Sequence, residues 1–287
     1  FVTGVQTCAL PICISSGLGY YLNIGATGQV VVGRDFFLNR SVNHKDVGIQ
    51  MAAGAAISVG RNWDDSSYDQ NAFVSTNGTV QFNGSGAQSI SSNSLTVFPT
   101  ATFTTATTAT LATSAAFTNL SCTVAGKQFS FTAGTTQTVN GTLSLVGASG
   151  NNILLRSTAA ARWTLNFPNG IQDVQYVDVE WGECSGNNCV AYDSTNSGNN
   201  DDAEASPRWV FAARGIRYWV GGTGNWDDPA NHWALSSGGS PGAGNAPDAT
   251  MDVKFDANSG GGTATINAAA SVYKFWMATG DTTAVTQ

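Results

Sequence analysis

The stretch Val174-Gln-Tyr-Val-Asp-Val-Glu-Trp181 decides the fold class, because its apolar and polar side chains alternate. The even-numbered side chains from Val174 to Asp178 would face one way and the odd-numbered ones the other, which is the period of a β-strand. Short apolar runs surround it, separated by Gly, Asn, Asp and Ser, at steps of 11 to 14 residues that leave no room for helices. These runs are Phe129–Phe131, Leu143–Val146, Ile153–Leu155, Trp163–Phe167, Cys189–Tyr192 and Trp209–Phe211. The sequence therefore predicts an all-β fold.

The composition of the apolar runs and of the turns between them indicates how the strands are arranged. Several runs are apolar or small on successive residues, and the turns are rich in Asn and Gly, which tolerate tight corners. This combination favours a right-handed parallel β-helix (a solenoid), in which two marker steps make a coil of roughly 22–26 residues. Repeats of a β-sandwich are the alternative.

Composition and charge narrow the class of partner. Only 11% of the 287 residues are charged, against 42% hydrophobic, and the net charge is −7. Scattered Lys and Arg residues, outnumbered 19 to 12 by acids, do not suit the binding of nucleic acid. No apolar run reaches the roughly 18 residues that a membrane span needs. We therefore expect that the protein does not bind nucleic acid and that this sequence contains no membrane-spanning segment.

The N-terminal residues are predicted to be non-native. Val2–Ile12 reads VTGVQTCALPI, which resembles the translation of a sequencing-library adapter joined to an assembled gene. We therefore assign residues 1–14 to an adapter-derived segment of a metagenomic fragment and leave them out of the fold prediction.

An internal repeat divides the remainder. Asn62-Trp-Asp-Asp65 recurs as Asn225-Trp-Asp-Asp228, and each copy is followed by Val-x-Phe, at Val80–Phe82 and Val253–Phe255. The sequence thus predicts one β-helix unit over residues 15–215 and the start of a second, truncated unit over 216–287. Neighbouring repeats of the same chain would be partners of each unit.

A family resemblance rests on this second region and on the runs before it. The stretch Arg217–Trp233, with its WVGGTGNW opening, resembles a module of very large secreted bacterial surface and adhesin-like repeat proteins. The stretches FTAGTTQTVNGTLSLVGASGNNILLRS and VQYVDVEW look like their coils. The resemblance implies a pectate-lyase-like (pectin lyase-like) β-helix located outside the cell or on its surface. It implies no catalytic activity.

Acidic residues give the weak catalytic candidates. Asp178 and Glu180 lie two apart, hence on one face of a strand, and glycoside cleavage needs two carboxylates across the bond. A lyase of this fold would also need an Arg or Lys base, and the nearest in sequence are Arg162 and Arg208. A neighbouring coil would have to supply a closer one. Solvated acids on the outside of a solenoid are the simpler interpretation.

Two further candidates concern metal and sulfur chemistry. Asp193, Asp201 and Asp202 belong to an oxygen-rich loop that would suit Ca²⁺, although its spacing is not that of an EF-hand and such residues also favour turns. We expect no other cofactor. Cys184 and Cys189 flank a short turn-rich segment and would form a disulfide in an oxidising compartment, with two free thiols as the alternative.

Tryptophans are the weak ligand-binding candidates. Trp219, Trp226 and Trp233 would stack on sugar rings if exposed, whereas the recurrence of Trp63 as Trp226 favours a buried role for the cluster, at a cap or between repeats. The sequence as a whole predicts a structural or adhesive segment of a secreted repeat protein, contacting glycans or other cell-surface molecules. The alternative is a polysaccharide lyase or glycoside hydrolase, and the absence of a catalytic set weighs against an enzyme.

Overall fold

A computed structural model of the protein describes residues 5–8, 12–14, 21–38, 48–65, 77–92 and 97–287. The chain divides into two compact units, Phe1–Ala212 (unit 1) and Ala213–Gln287 (unit 2). The boundary predicted from the sequence, between residues 215 and 216, lies close to this division. No helix of the described residues is long and apolar enough to cross a membrane.

Unit 1 consists of short strands joined by turns. In chain order the strands are β1 (Val5–Cys8), β2 (Ile12–Ile14), β3 (Tyr21–Ile24), β4 (Gln29–Val32), β5 (Phe36–Leu38), β6 (Gly48–Met51), β7 (Ala56–Val59), β8 (Trp63–Asp65), β9 (Thr79–Phe82), β10 (Gln88–Ser91), β11 (Val97–Phe103), β12 (Ala109–Leu111), β13 (Ala115–Cys122), β14 (Gln128–Phe131), β15 (Thr136–Val139), β16 (Leu143–Leu145), β17 (Ile153–Ser157), β18 (Trp163–Asn166), β19 (Gln172–Gln175), β20 (Val177–Glu180), β21 (Gly182–Ser185), β22 (Cys189–Tyr192), β23 (Thr195–Gly198) and β24 (Trp209–Ala212).

The strands stack as successive coils of a solenoid. Sheet 1 has the order β1-β4-β7-β9-β11-β13-β15-β18-β21, with β16 beside β13, and sheet 2 the order β2-β5-β8-β10-β12-β14-β17-β20-β23. Sheet 3 (β19-β22-β24) forms a further side of the later coils, and β3 pairs with β6. Every strand ladder in the described part of unit 1 is parallel, so the predicted parallel β-helix is confirmed and the β-sandwich alternative is wrong.

The register gives the length of each coil. Paired residues are 27 positions apart at Phe36↔Trp63, 20 at Leu111↔Phe131 and 17 at Asp178↔Thr195, a wider spread than the predicted 22–26. Turns of unequal length at the corners account for this spread. Of the segment predicted to be adapter-derived, Val5–Cys8 and Ile12–Ile14 pair with β4 and β5, and the rest of 1–14 lies outside the described residues.

Inward side chains form continuous apolar rows. Aromatic rings on register partners stack from coil to coil, with ring centroids 4.3 Å apart for Phe36–Trp63 and 5.2 Å apart for Phe98–Phe117. The parallel register repeats every inward position at the strand spacing of about 4.8 Å, so a ring in one coil meets a ring in the next. Burial of these rows provides the main stabilisation of unit 1.

The deciding stretch departs from simple alternation at one residue. Val174, expected to face the same way as Asp178, is buried like Val177 and Val179. The reason is that two strands, β19 and β20, meet here at a corner, where Tyr176 adopts a left-handed conformation with φ of 50°. The corner resets the alternation, so that the apolar residues on both sides of it point inward.

Unit 2 is smaller and mixes parallel with antiparallel pairing. Its elements are β25 (Ile216–Trp219), β26 (Gly224–Asn225), α1 (Pro229–His232), β27 (Trp233–Ala234), β28 (Asp252–Phe255), β29 (Gly262–Thr265), β30 (Lys274–Met277) and β31 (Thr283–Thr286). They form the sheets β27-β25-β28-β30 and β26-β29-β31, in which the pair β25–β27 is antiparallel.

The two copies of the sequence repeat agree in part. Val80–Phe82 lies in β9 and Val253–Phe255 in β28, and both strands bury Val and Phe. Trp63 lies within β8, whereas Trp226 follows β26 and leads through a turn into α1. The Val-x-Phe strands are therefore alike, while the tryptophan segments differ in backbone structure.

Candidate functional site

A groove of about 560 Å³ opens on the outside of unit 1. The loop between β16 and β17 forms one side of it, and the first residues of β17, β20 and β23 lie along its floor. Its polar lining includes two carboxylates, two amides and three hydroxyl groups, and Leu154 adds apolar surface. These groups belong to Ser149, Asn151, Asn152, Tyr176, Asp178, Asp193 and Thr195.

Two left-handed corner residues contribute to this groove. Tyr176 (φ 50°) and Asp193 (φ 48°) occupy the same corner, between sheets 3 and 2, in successive coils. Because a left-handed residue turns the chain sharply, Tyr176 alone makes the corner between β19 and β20, and Asp193 makes the corner between β22 and β23 together with Ser194. The side chains of Tyr176 and Asp193 both line the groove. Asp adopts this conformation readily, but a bulky aromatic residue there is an outlier.

The neighbouring loop is fixed against the same corner. Gly147 donates its backbone N–H to the carbonyl of Gln175 at 3.0 Å, and Ile153 donates to the carbonyl of Tyr176 at 2.9 Å. A Cβ atom at position 147 would overlap the carbonyl oxygen of Tyr176, so only glycine allows this close approach. The loop and the corner thus form one wall whose shape depends on Gly147.

The two predicted acids lie on the outer face of β20, beside an arginine from the preceding coil. Arg156 Nη2 lies 2.6 Å from Asp178 Oδ2, and Arg156 Nη1 donates to the Asp178 carbonyl at 2.6 Å. Ser197 Oγ donates to Asp178 Oδ1 at 2.5 Å, and Arg156 Nε lies 3.8 Å from Glu180 Oε2. Both carboxylate oxygens of Asp178 therefore already have a partner.

The three calcium candidates are not brought together. Asp193 lines the groove, where its Oδ2 accepts from Gln175 Nε2 at 2.8 Å. Asp201 is buried, and its carboxylate accepts the backbone N–H groups of Cys184 at 2.7 Å and Trp209 at 2.8 Å. Burial raises the pKa of Asp201, which marks it as a structural carboxylate that satisfies two core amides.

Asp202, the third calcium candidate, makes a contact through its backbone: its carbonyl accepts a hydrogen bond from Arg208 Nη1 at 2.7 Å. In the part of the chain that the structure describes, no three His, Cys, Asp or Glu side chains are grouped so as to hold a metal ion. The structure does not bring Asp193, Asp201 and Asp202 together, and a Ca²⁺ site at these residues stays a prediction.

The two cysteines meet inside the coil. Cys184 and Cys189 are both buried and are free thiols, so the predicted disulfide is not formed in this structure. They are nevertheless in hydrogen-bond contact, and burial together with the neighbouring Cys189 raises the pKa of the Cys184 thiol. Their proximity keeps the disulfide a prediction for oxidising conditions.

The three tryptophan candidates lie in the core of unit 2. Trp219 and Trp233 are fully buried and Trp226 is 7% exposed. Trp233 meets Trp219 and Trp226 edge to face, with ring centroids 5.2 and 4.7 Å away, and His232 stacks on Trp219 at 4.7 Å. Because protein atoms cover these rings, they are not available for stacking on sugar, and the expectation of ligand contact by these residues is corrected to a packing role.

No family model, curated protein or solved structure matches the chain. Of the residues that line the groove, the sequence had singled out Asp178 and Asp193 as candidate site residues. Arg156, Tyr176 and the amides Asn151 and Asn152 were not foreseen.

Proposed function

We propose that unit 1 is a structural or adhesive segment of a secreted or cell-surface repeat protein, and that it contacts glycans through the groove. The observation that carries this proposal is the mixed lining of an open concave site. Amide, carboxylate and hydroxyl groups donate to and accept from sugar hydroxyls, while Leu154 and the ring of Tyr176 offer apolar surface to the C–H face of a sugar. An open groove also accepts a chain that continues past both ends.

The rest of the outer surface suits an adhesive role. Short uncharged side chains follow one another from coil to coil, as in the row Thr138, Asn166 and Ser185, where Asn166 Nδ2 donates to Thr138 Oγ1 at 3.3 Å and Ser185 Oγ donates to Asn166 Oδ1 at 3.1 Å. Such rows hold the surface rigid without charge. A stacked solenoid also gains length by adding coils, which supports the reach that a surface protein needs.

A glycan array with the full chain tests this proposal. We expect binding to a subset of glycans, and weaker binding by Tyr176→Asn, which tolerates the left-handed corner but removes the ring. Thr195→Ala should weaken it as well, whereas Thr104→Ala, at an exposed position away from the groove, is the matched control and should bind like the parent chain. If the folded chain binds no glycan on the array, the proposed glycan contact is wrong.

A second candidate function is polysaccharide cleavage, since Arg156 lies beside Asp178 and Glu180 as a lyase mechanism would require. Binding is favoured over cleavage because both carboxylate oxygens of Asp178 are engaged, and an arginine paired with two carboxylates is a poor base. Release of reducing ends or unsaturated products that is lost in the Asp178→Asn, Glu180→Gln double variant would establish the enzyme. Product release that persists in that variant would exclude this pair of acids.

A further inference from the structure

We infer that the groove holds an extended β-1,4-linked polysaccharide, such as a glucan, along the solenoid axis, with successive sugars facing successive coils. This inference rests on the proposed glycan contact and specifies the shape and direction of the ligand. It starts from the left-handed residues that precede the strands of sheet 2. Each of four successive coils contributes one such residue to the groove, namely Gly126, Gly150, Tyr176 and Asp193.

The floor of the groove follows the same direction. Leu154, Asp178 and Thr195 are register partners in β17, β20 and β23, so they form one outward row across three coils. Neighbouring strands of a parallel ladder lie about 4.8 Å apart in the direction of stacking, and the row therefore runs along the solenoid axis. A ligand that lies in the groove meets the same outward position once in every coil.

Contacts between coils hold the lining of this floor in place. Asn152 Nδ2 donates to Thr195 Oγ1 at 3.1 Å, which leaves the hydroxyl proton of Thr195 for donation to a sugar oxygen. Asp178 is held by Arg156 Nη2 at 2.6 Å. Leu154, in the same row, presents apolar surface to the C–H face of a sugar. Because the protein already orders these side chains, a bound chain loses little affinity to their immobilisation.

The shape of the ligand follows from the spacing of the coils. A β-1,4-linked pyranose chain is extended and advances by about 5 Å per sugar, close to the strand spacing of about 4.8 Å. An α-1,4-linked chain of the same sugar curves, so it leaves a straight groove. An extended chain therefore gains contact with each added sugar until it spans the four coils that line the groove.

Titration calorimetry of the full chain with glucose oligomers tests this inference, because β-1,4-linked and α-1,4-linked oligomers of equal length differ only in linkage. We expect the affinity for the β-linked series to rise from the dimer to the tetramer and then to level off. The β-linked tetramer should bind about tenfold more tightly than the α-linked tetramer. The α-linked series should gain less than about threefold over the same range of lengths.

Two matched variants test the floor. Leu154→Thr keeps a residue that suits a strand and removes apolar surface from the groove, so it should weaken binding of the β-linked tetramer about fivefold. Val190→Thr makes a similar change at a half-buried outward position of β22 that does not line the groove, and it should bind like the parent chain. Urea unfolding of both variants checks that the fold is kept.

The outcomes separate this inference from the proposed function. If no glucose oligomer binds and the glycan array is also empty, the proposed function fails. If the array shows binding but the two linkage series bind equally or not at all, the extended chain is wrong while glycan contact stands. An affinity that stops rising at the dimer would overturn the axial direction. Equal binding by Leu154→Thr and Val190→Thr would overturn the role of Leu154.

Discussion

Lys127 places an amine inside the apolar core of unit 1, and its replacement by methionine should stabilise the fold. The side chain is fully buried, with Nζ 5.1 Å from the ring centroid of Phe103 and 5.6 Å from that of Phe129. Among the described residues Nζ has no hydrogen-bond partner. Burial lowers the pKa of Lys127 from 10.5 to about 8, because the apolar surroundings disfavour the charged form.

The pKa shift sets the size and the pH range of the effect. At neutral pH the folded protein carries a buried ammonium, and a shift from 10.5 to about 8 corresponds to a cost of about 3 kcal/mol. Between pH 8 and 10.5 the unfolded chain holds one proton more at this residue than the folded chain, so the parent protein gains stability as pH rises. Lys127→Met should therefore be about 3 kcal/mol more stable at pH 7, and the difference should shrink towards pH 10.5.

Denaturant unfolding of both proteins, followed by tryptophan fluorescence at several pH values, measures this difference. Cys122 requires a control, because its buried thiol has a raised pKa and its contribution changes with the opposite sign. The folded thiol keeps its proton above pH 9, where the unfolded one loses it, so this group makes the fold less stable as pH rises. Repeating the comparison in a Cys122→Ala background removes that contribution. A stability difference that does not change between pH 7 and 10.5, or a less stable Lys127→Met, would refute the reasoning.

Two further predictions concern the corners of the solenoid. Under a thiol–disulfide oxidant, Cys184 and Cys189 should form one intramolecular disulfide, which peptide mapping detects. The loop that it closes should add about 2 kcal/mol to the free energy of unfolding. A mixed disulfide at either thiol would contradict the predicted pairing. Gly147→Ala should destabilise unit 1 by at least about 2 kcal/mol and weaken glycan binding, since its Cβ would overlap the carbonyl of Tyr176. Urea unfolding measures the stability of this variant and of Gly86→Ala, where a Cβ meets no atom within 4 Å and stability should be unchanged. Equal effects of the two substitutions would contradict the role of the close approach at Gly147.

The parallel stacking was predictable because it depends on features that a single sequence displays. Apolar runs at steps of 11 to 14 residues exclude helices, and corners rich in Asn and Gly favour coils. The burial of Trp226 was foreseen in the same way, from its recurrence with Trp63. The position of Arg156 was within reach of this reasoning: it lies 22 residues before Asp178 and 24 before Glu180, which is the predicted length of one coil. A register built from that length would have placed it beside both acids.

The groove itself was out of reach because it depends on a corner that no pattern of polarity reveals. Alternation reads Val174 to Val179 as one strand, whereas the left-handed Tyr176 divides it into two and reverses the direction of Val174. Left-handed corners are recognised in a sequence by Gly or Asn, and Tyr gives no such signal. A bulky residue in this conformation costs about 1–3 kcal/mol. That cost is the reason to look for a role in the Tyr176 side chain, because an asparagine would turn the same corner with less strain and would leave the groove without its ring.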